Sequence, residues 1–117
     1  MGLLKRKPKV AESAPEHAVI IHYSLSNETH GTVEEREAIF ALEDRLETLI
    51  QSHELGEHDG NEFGGGEAVI YCYGRDAGRL FTGIESEVRA FPARPAYAYL
   101  RYGHVSDPEA REQRIDL

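Results

Sequence analysis

The chain has 117 residues, of which 40% are apolar and 29% charged, the size and balance of one soluble globular domain. The formal net charge is −8, and the first ten residues hold four of the thirteen Lys and Arg, so the other 107 residues carry nine positive against twenty-one negative groups. An acidic body of this kind repels phosphate backbones, which argues against nucleic-acid binding, and no apolar run approaches the ~20 residues needed to cross a bilayer.

Residues 1–15, with Lys5, Arg6, Lys7, Lys9, Pro8 and Pro15, show no periodicity and read as a disordered basic tail before a single domain over 16–117. The stretch MGLLKRKPKV has no apolar run after its basic residues and does not read as a secretory leader. Ala18 to Leu25 (AVIIHYSL) is a β-rich apolar run and predicts a central strand. Thr32 with Glu35 three residues on is a capping box, and Ile39, Leu42, Leu46, Leu49 and Ile50 make the apolar face of the helix it starts. Glu34, Glu37, Asp44, Glu47 and Gln51 fall off that face.

Glu67 to Tyr73 (EAVIYCY) predicts a second strong strand. Asp76 then caps a helix with a Leu80, Ile84, Val88 stripe, weakened by Gly78 and Gly83 and stopped by Pro92. Ala96 to Tyr102 (AYAYLRY) is a third strand, and Arg111 to Leu117 offers a short last one. Topology turns on Glu57 to Phe63. As a short charged edge strand it makes Gly64-Gly65-Gly66 a hairpin and the order β-α-β-β-α-β, an α+β ferredoxin-like split βαβ fold with one open sheet face. As a loop it leaves β-α-β-α-β with parallel neighbours. The first order is preferred.

The three glycines precede a strand, with no Lys-Ser/Thr after them, so they read as turn formers and not as a phosphate cradle. Alternation in the strands puts small and aliphatic residues on the face two helices can cover. The other face then carries Tyr71, Tyr73, Tyr97, Tyr99, Arg101 and His22. Aromatic sheet faces stack RNA bases in some domains, but those surround the aromatics with Lys and Arg, which this body lacks. Tyr and Arg are also enriched at protein interfaces, so the expected occupant is a protein partner or a second copy. The bland alternative is that this chain's own tail or C-terminal segment covers the face.

His53-Glu54-Leu55-Gly56-Glu57-His58-Asp59 is the densest group of metal-ligating residues, with Glu62 nearby. It misses HExxH at Glu57, and the inverted form HxxEH is not completed either, so no metal ligands are assigned. Cys72, the single cysteine, lies within a strand on the core side; it reads as a buried hydrophobe and suits a reducing cytoplasm. No catalytic signature or cofactor motif is present, which leaves only His22 with Tyr71 or Tyr99 as a conceivable proton-transfer pair.

The string DGNEFGGGEAVIYCYG followed by DAGRLF resembles a group of small uncharacterised bacterial proteins. In these a DGNE-glycine hairpin leads into a Y-x-Y-G strand, a D-A-x-x-L-F helix and a final strand ending near R-Y-G. The match spans Gly56 to Gly103, and it implies no catalytic residue. By size and charge alone, the chain also resembles immunity proteins that neutralise bacterial toxins. Together these readings give a small acidic cytoplasmic protein-binding module, with a dimeric small-molecule or metal-binding regulatory domain as the alternative.

Overall fold

The computed structural model describes residues 16–117; the basic tail expected over 1–15 lies outside them. In chain order the elements are β1 (His17–Ser24), α1 (Val33–Ser52), β2 (Glu57–Gly64), β3 (Glu67–Gly74), α2 (Ala77–Ala90), β4 (Ala96–Tyr102) and β5 (Arg111–Asp116). They form an α+β structure with one five-stranded sheet ordered β2-β3-β1-β4-β5. Every neighbouring pair is antiparallel, which settles the topology against the parallel β-α-β-α-β order.

Local chemistry sets each boundary. Thr32 Oγ1 accepts from the Glu35 amide while Glu35 Oε1 accepts from the Thr32 amide, so both halves of the capping box form. Asp76 caps α2 by accepting from the Arg79 amide, and Pro92 follows directly on the Phe91 C-cap. Gly65 and Gly66 have φ of 60° and 83°, the left-handed pair that a two-residue hairpin between β2 and β3 requires. The Gly66 amide and carbonyl bond Thr29 and Leu25, which ties the turn to the loop after β1. The glycine run therefore turns the chain.

Both helices pack on one face of the sheet. Ile39, Leu42, Leu46 and Ile50 of α1 and Leu80, Phe81, Ile84 and Val88 of α2 share a core with Val19, Ile21, Tyr23, Ala68, Ile70, Cys72, Ala98 and Leu100. Tyr23 is fully buried, and its hydroxyl donates to the Val88 carbonyl at 2.7 Å; burial pushes that phenol well up from its ordinary value. Cys72 is buried on this face, and burial likewise drives its thiol upward, so it is a packing residue. Among the described residues no helix is long and apolar enough to cross a membrane.

The turn from α1 into β2 depends on close backbone approach. Gly56 has φ of 144°, and a Cβ there would sit 2.0 Å from the Tyr73 carbonyl oxygen. Gly65 also has positive φ but faces open space. We expect Gly56→Ala to cost about 2–4 kcal/mol through clash and backbone strain, whereas Gly65→Asn, a residue that tolerates this φ, stays within about 0.5 kcal/mol of wild type. Chemical denaturation of both variants checks this; equal stabilities would refute the close-approach argument.

Candidate functional site

The side of the sheet away from the helices holds all six residues singled out from the sequence. Across the three central strands, Tyr71, Ile20 and Tyr99 lie in one row; Val69, His22 and Tyr97 form the next, and Tyr73, Ala18 and Arg101 the third. Directly opposed residues share a face, so these rows make a continuous aromatic and aliphatic band. The residues of the band are half-buried, apart from Ala18, which is buried.

Its polar groups are anchored at the edges. His22 stacks on Tyr97 with ring centroids 4.4 Å apart and 9° between planes, and its Nδ1 lies 3.1 Å from Glu67 Oε1. The Tyr71 hydroxyl donates to Glu62 Oε1 at 2.5 Å. Partial burial raises the Tyr99 phenol above its ordinary value, reinforced by the Glu112 hydrogen bond and charge and opposed by Arg101. The ladder places His22 against Tyr97 and Val69, one row away from Tyr71 and Tyr99, so the proton-transfer pairs considered from sequence are not the contacts His22 makes.

Arg101 has a more structural position than its spacing suggested. Nη1 bonds Glu112 Oε2 at 2.8 Å, and Nη2 donates to the carbonyls of His104, Val105 and Asp107. The guanidinium thus holds the loop between β4 and β5, and its Nε is buried with no acceptor among the described residues. The flanks of the band are acidic: in register with the central rows lie Glu57, Glu62, Glu112 and Asp116, with Glu67 one row beyond, against the cations Arg101 and Arg114. Arg114 covers the Tyr97 ring at 3.8 Å and bonds Asp116.

The His53–Asp59 run does not converge. His53 caps the end of α1 and contacts the Leu49 carbonyl through Nδ1, His58 points from β2 into the helix-covered side, and Glu62 lies on the opposite face. Among the described residues no group of three or more His, Cys, Asp or Glu side chains is disposed to hold a metal ion. A shallow groove of about 610 Å³ lies beside β2, lined in part by His30, Arg36, Asn61 and Phe63. Arg36 there donates through Nη1 to the carbonyls of His30 and Gly31.

One charged cluster was not anticipated. Glu43 is buried within α1, where its Oε2 lies 2.6 Å from His58 Nε2 and its Oε1 accepts from Asn61 Nδ2 at 2.6 Å. Glu47 Oε1 is 3.7 Å from His58 Nδ1. The signal was present: Ile39, Glu43, Leu46 and Ile50 follow the helical repeat, so Glu43 occupies a core position on the apolar stripe. A carboxylate there requires donors from a facing element.

Burial works against a charged His58, but the hydrogen bond to Glu43 and the charges of Glu43, Glu47 and Asp59 outweigh it and raise its pKa above the ordinary 6.5. The folded state therefore holds this proton more tightly than the unfolded state. The stabilisation is fully present below the unfolded value and is lost as pH rises through the folded one. We expect unfolding free energy to fall as pH rises from the ordinary histidine value of 6.5 through the raised folded one, and His58→Gln to flatten that slope while lowering stability at the acid end. Denaturant midpoints across this range test it; an unchanged slope in the variant would assign the pH dependence elsewhere.

The chain matches no protein-family model, and no curated protein or solved structure is similar to it.

Proposed function

We propose that this protein is a binding module for a basic protein partner, which it engages through the tyrosine face of the sheet. The scaffold reads as a ferredoxin-like split βαβ fold extended by β5, since β2-β3-β1-β4 with both helices on one side is the arrangement that topology produces. A narrower version makes the module an immunity-type inhibitor that masks a basic bacterial effector in the cytoplasm. The observation that carries the reading is the joining of an aromatic band to an acidic frame of five carboxylates and two guanidiniums. Tyrosines supply large contact area at low entropic cost, while the frame steers an oppositely charged surface and sets the association rate.

The same frame disfavours the rival in which a second copy covers the face, because that packing opposes two sheets of like net charge. In the groove beside β2, one place a small-molecule reading would draw on, Arg36 is already engaged by two backbone carbonyls. The polar atoms of the tyrosine face converge on neighbouring side chains and not on a common point, which suits a broad contact more than a small ligand.

Affinity capture from the native host, followed by binding kinetics on the isolated partner, tests the proposal. We expect one stoichiometric basic protein, with Tyr99→Ala weakening it about 30-fold and Val33→Ala, on exposed α1 surface, leaving it unchanged. Glu57→Lys should slow association in low salt and have little effect in high salt. Partner binding indifferent to Tyr71→Ala and Tyr99→Ala would remove the sheet face from the function.

A further inference from the structure

The two edges of the sheet differ. In β2 the ladder shifts register between His58 and Gly60, and Gly60 sits at φ of 114°, so this edge is interrupted by a bulge. Bulges of this kind blunt an edge against further pairing. In β5 the register with β4 runs unbroken from Tyr97↔Asp116 to Tyr102↔Arg111. The strand contains no proline, contacts no element other than β4 among the described residues, and has every residue but Ile115 exposed.

The outward-facing backbone groups of β5 can be assigned. The Leu117 amide donates to the Ala96 carbonyl at 3.0 Å, which makes Ala96 and Leu117 a hydrogen-bonded pair. Bonded pairs recur every second residue in an antiparallel ladder, so Ile115, Gln113 and Arg111 bond to β4 while the amides and carbonyls of Asp116, Arg114 and Glu112 point away from it.

We propose that β5 pairs with β5 of a second copy, antiparallel and centred on Gln113, to give a continuous ten-stranded sheet. A two-fold axis normal to the sheet requires opposed residues to share a face. Centring on Gln113 sets Glu112 opposite Arg114 of the second copy and Arg114 opposite its Glu112. These are the residues whose outward amides and carbonyls then bond each other. Both side chains are accessible for the added contact, with Glu112 49% and Arg114 62% exposed. Centring on Arg114 would oppose Arg114 to itself and Glu112 to Asp116, like charge against like. Centring on Ile115 keeps an Arg114–Asp116 contact but overlaps only the end of the strand. The alternating charges Arg111, Glu112, Arg114 and Asp116 therefore select one register, where charges of a single sign would have blocked them all. The two tyrosine faces of such a dimer lie on the same side of the extended sheet. The proposal stands independently of what those faces bind.

Sedimentation of the full chain from micromolar to millimolar concentration, with amide hydrogen exchange read by NMR at both ends of that range, tests it. We expect a monomer–dimer equilibrium in which the Glu112 and Arg114 amides exchange about tenfold more slowly at high concentration, while those of Gln113 and Ile115 are protected throughout. Arg114→Pro removes an outward N–H without removing a bond to β4, and should leave a folded monomer by circular dichroism. Arg114→Glu should also dissociate the dimer, and Glu112→Arg with Arg114→Glu should restore it. A protein monomeric at millimolar concentration would overturn the proposal. So would a dimer whose Glu112 and Arg114 amides stay unprotected, since that dimer uses another surface.

Discussion

The carboxylate of Glu43 is the constraint on which the β2 side of the molecule depends. Of the residues in β2 only Phe63 is a large apolar one, so apolar burial gives this strand little reason to join the sheet. Glu43 supplies one from α1 by accepting from both His58 and Asn61. Those residues are three apart, and in a regular strand they would face opposite sides. The extra residue at Asp59 shifts the phase, so that His58, Asn61 and Phe63 all face the helices. The same shift sends Glu62 to the tyrosine face, where it accepts from Tyr71. A buried pair of this type is costly to break, with the loss of one partner worth about 3–5 kcal/mol, yet it adds little over a packed apolar pair. Its contribution is therefore placement: it sets which way β2 faces.

From that placement the asymmetry of the sheet follows. Two helices on one side bury the aliphatic residues of β1, β3 and β4, and no third element among the described residues answers the other side. That other side is not left as a greasy patch. Carboxylates from β2, β3 and β5 frame it, with Arg101 and Arg114 tied into the β4–β5 edge by Glu112 and Asp116. Open apolar faces are tolerated when ringed in this way, and such rings also mark interaction surfaces.

How much of this was legible follows from which interactions are local. The strands β1, β3 and β4 and both helices were readable because alternation and helical periodicity sit within each segment, and the capping box at Thr32 and the cap at Asp76 are purely local chemistry. The six residues of the tyrosine face could be grouped for the same reason. Asp59-Gly60 is a turn-forming dipeptide that here makes a bulge inside a strand, because a glycine at positive φ serves both and only pairing distinguishes them. Glu43 was passed over since its partners lie on another element, although its place on the apolar stripe pointed to a buried charge. Arg101 was grouped with the binding residues because β4 alternation says where it points, while its hold on the carbonyls of residues 104–107 depends on a loop conformation that no pattern encodes.

On the proposed reading, the tyrosine face is prepared before any partner arrives. His22 is held by Glu67 and Tyr97, Tyr71 by Glu62, and Tyr99 is drawn toward Glu112 and Arg101. Rings fixed in this way have already lost much of their rotamer freedom, so the ordering cost that normally opposes association is reduced at these positions. The anchoring groups are mainly carboxylates at the margins of the face. A basic partner can add its charges to these carboxylates without displacing the rings, whereas an acidic one meets repulsion at each margin. Preorganisation and charge selection are then carried by the same side chains, and the acidic composition of the chain becomes a property of one surface as well as of the whole molecule.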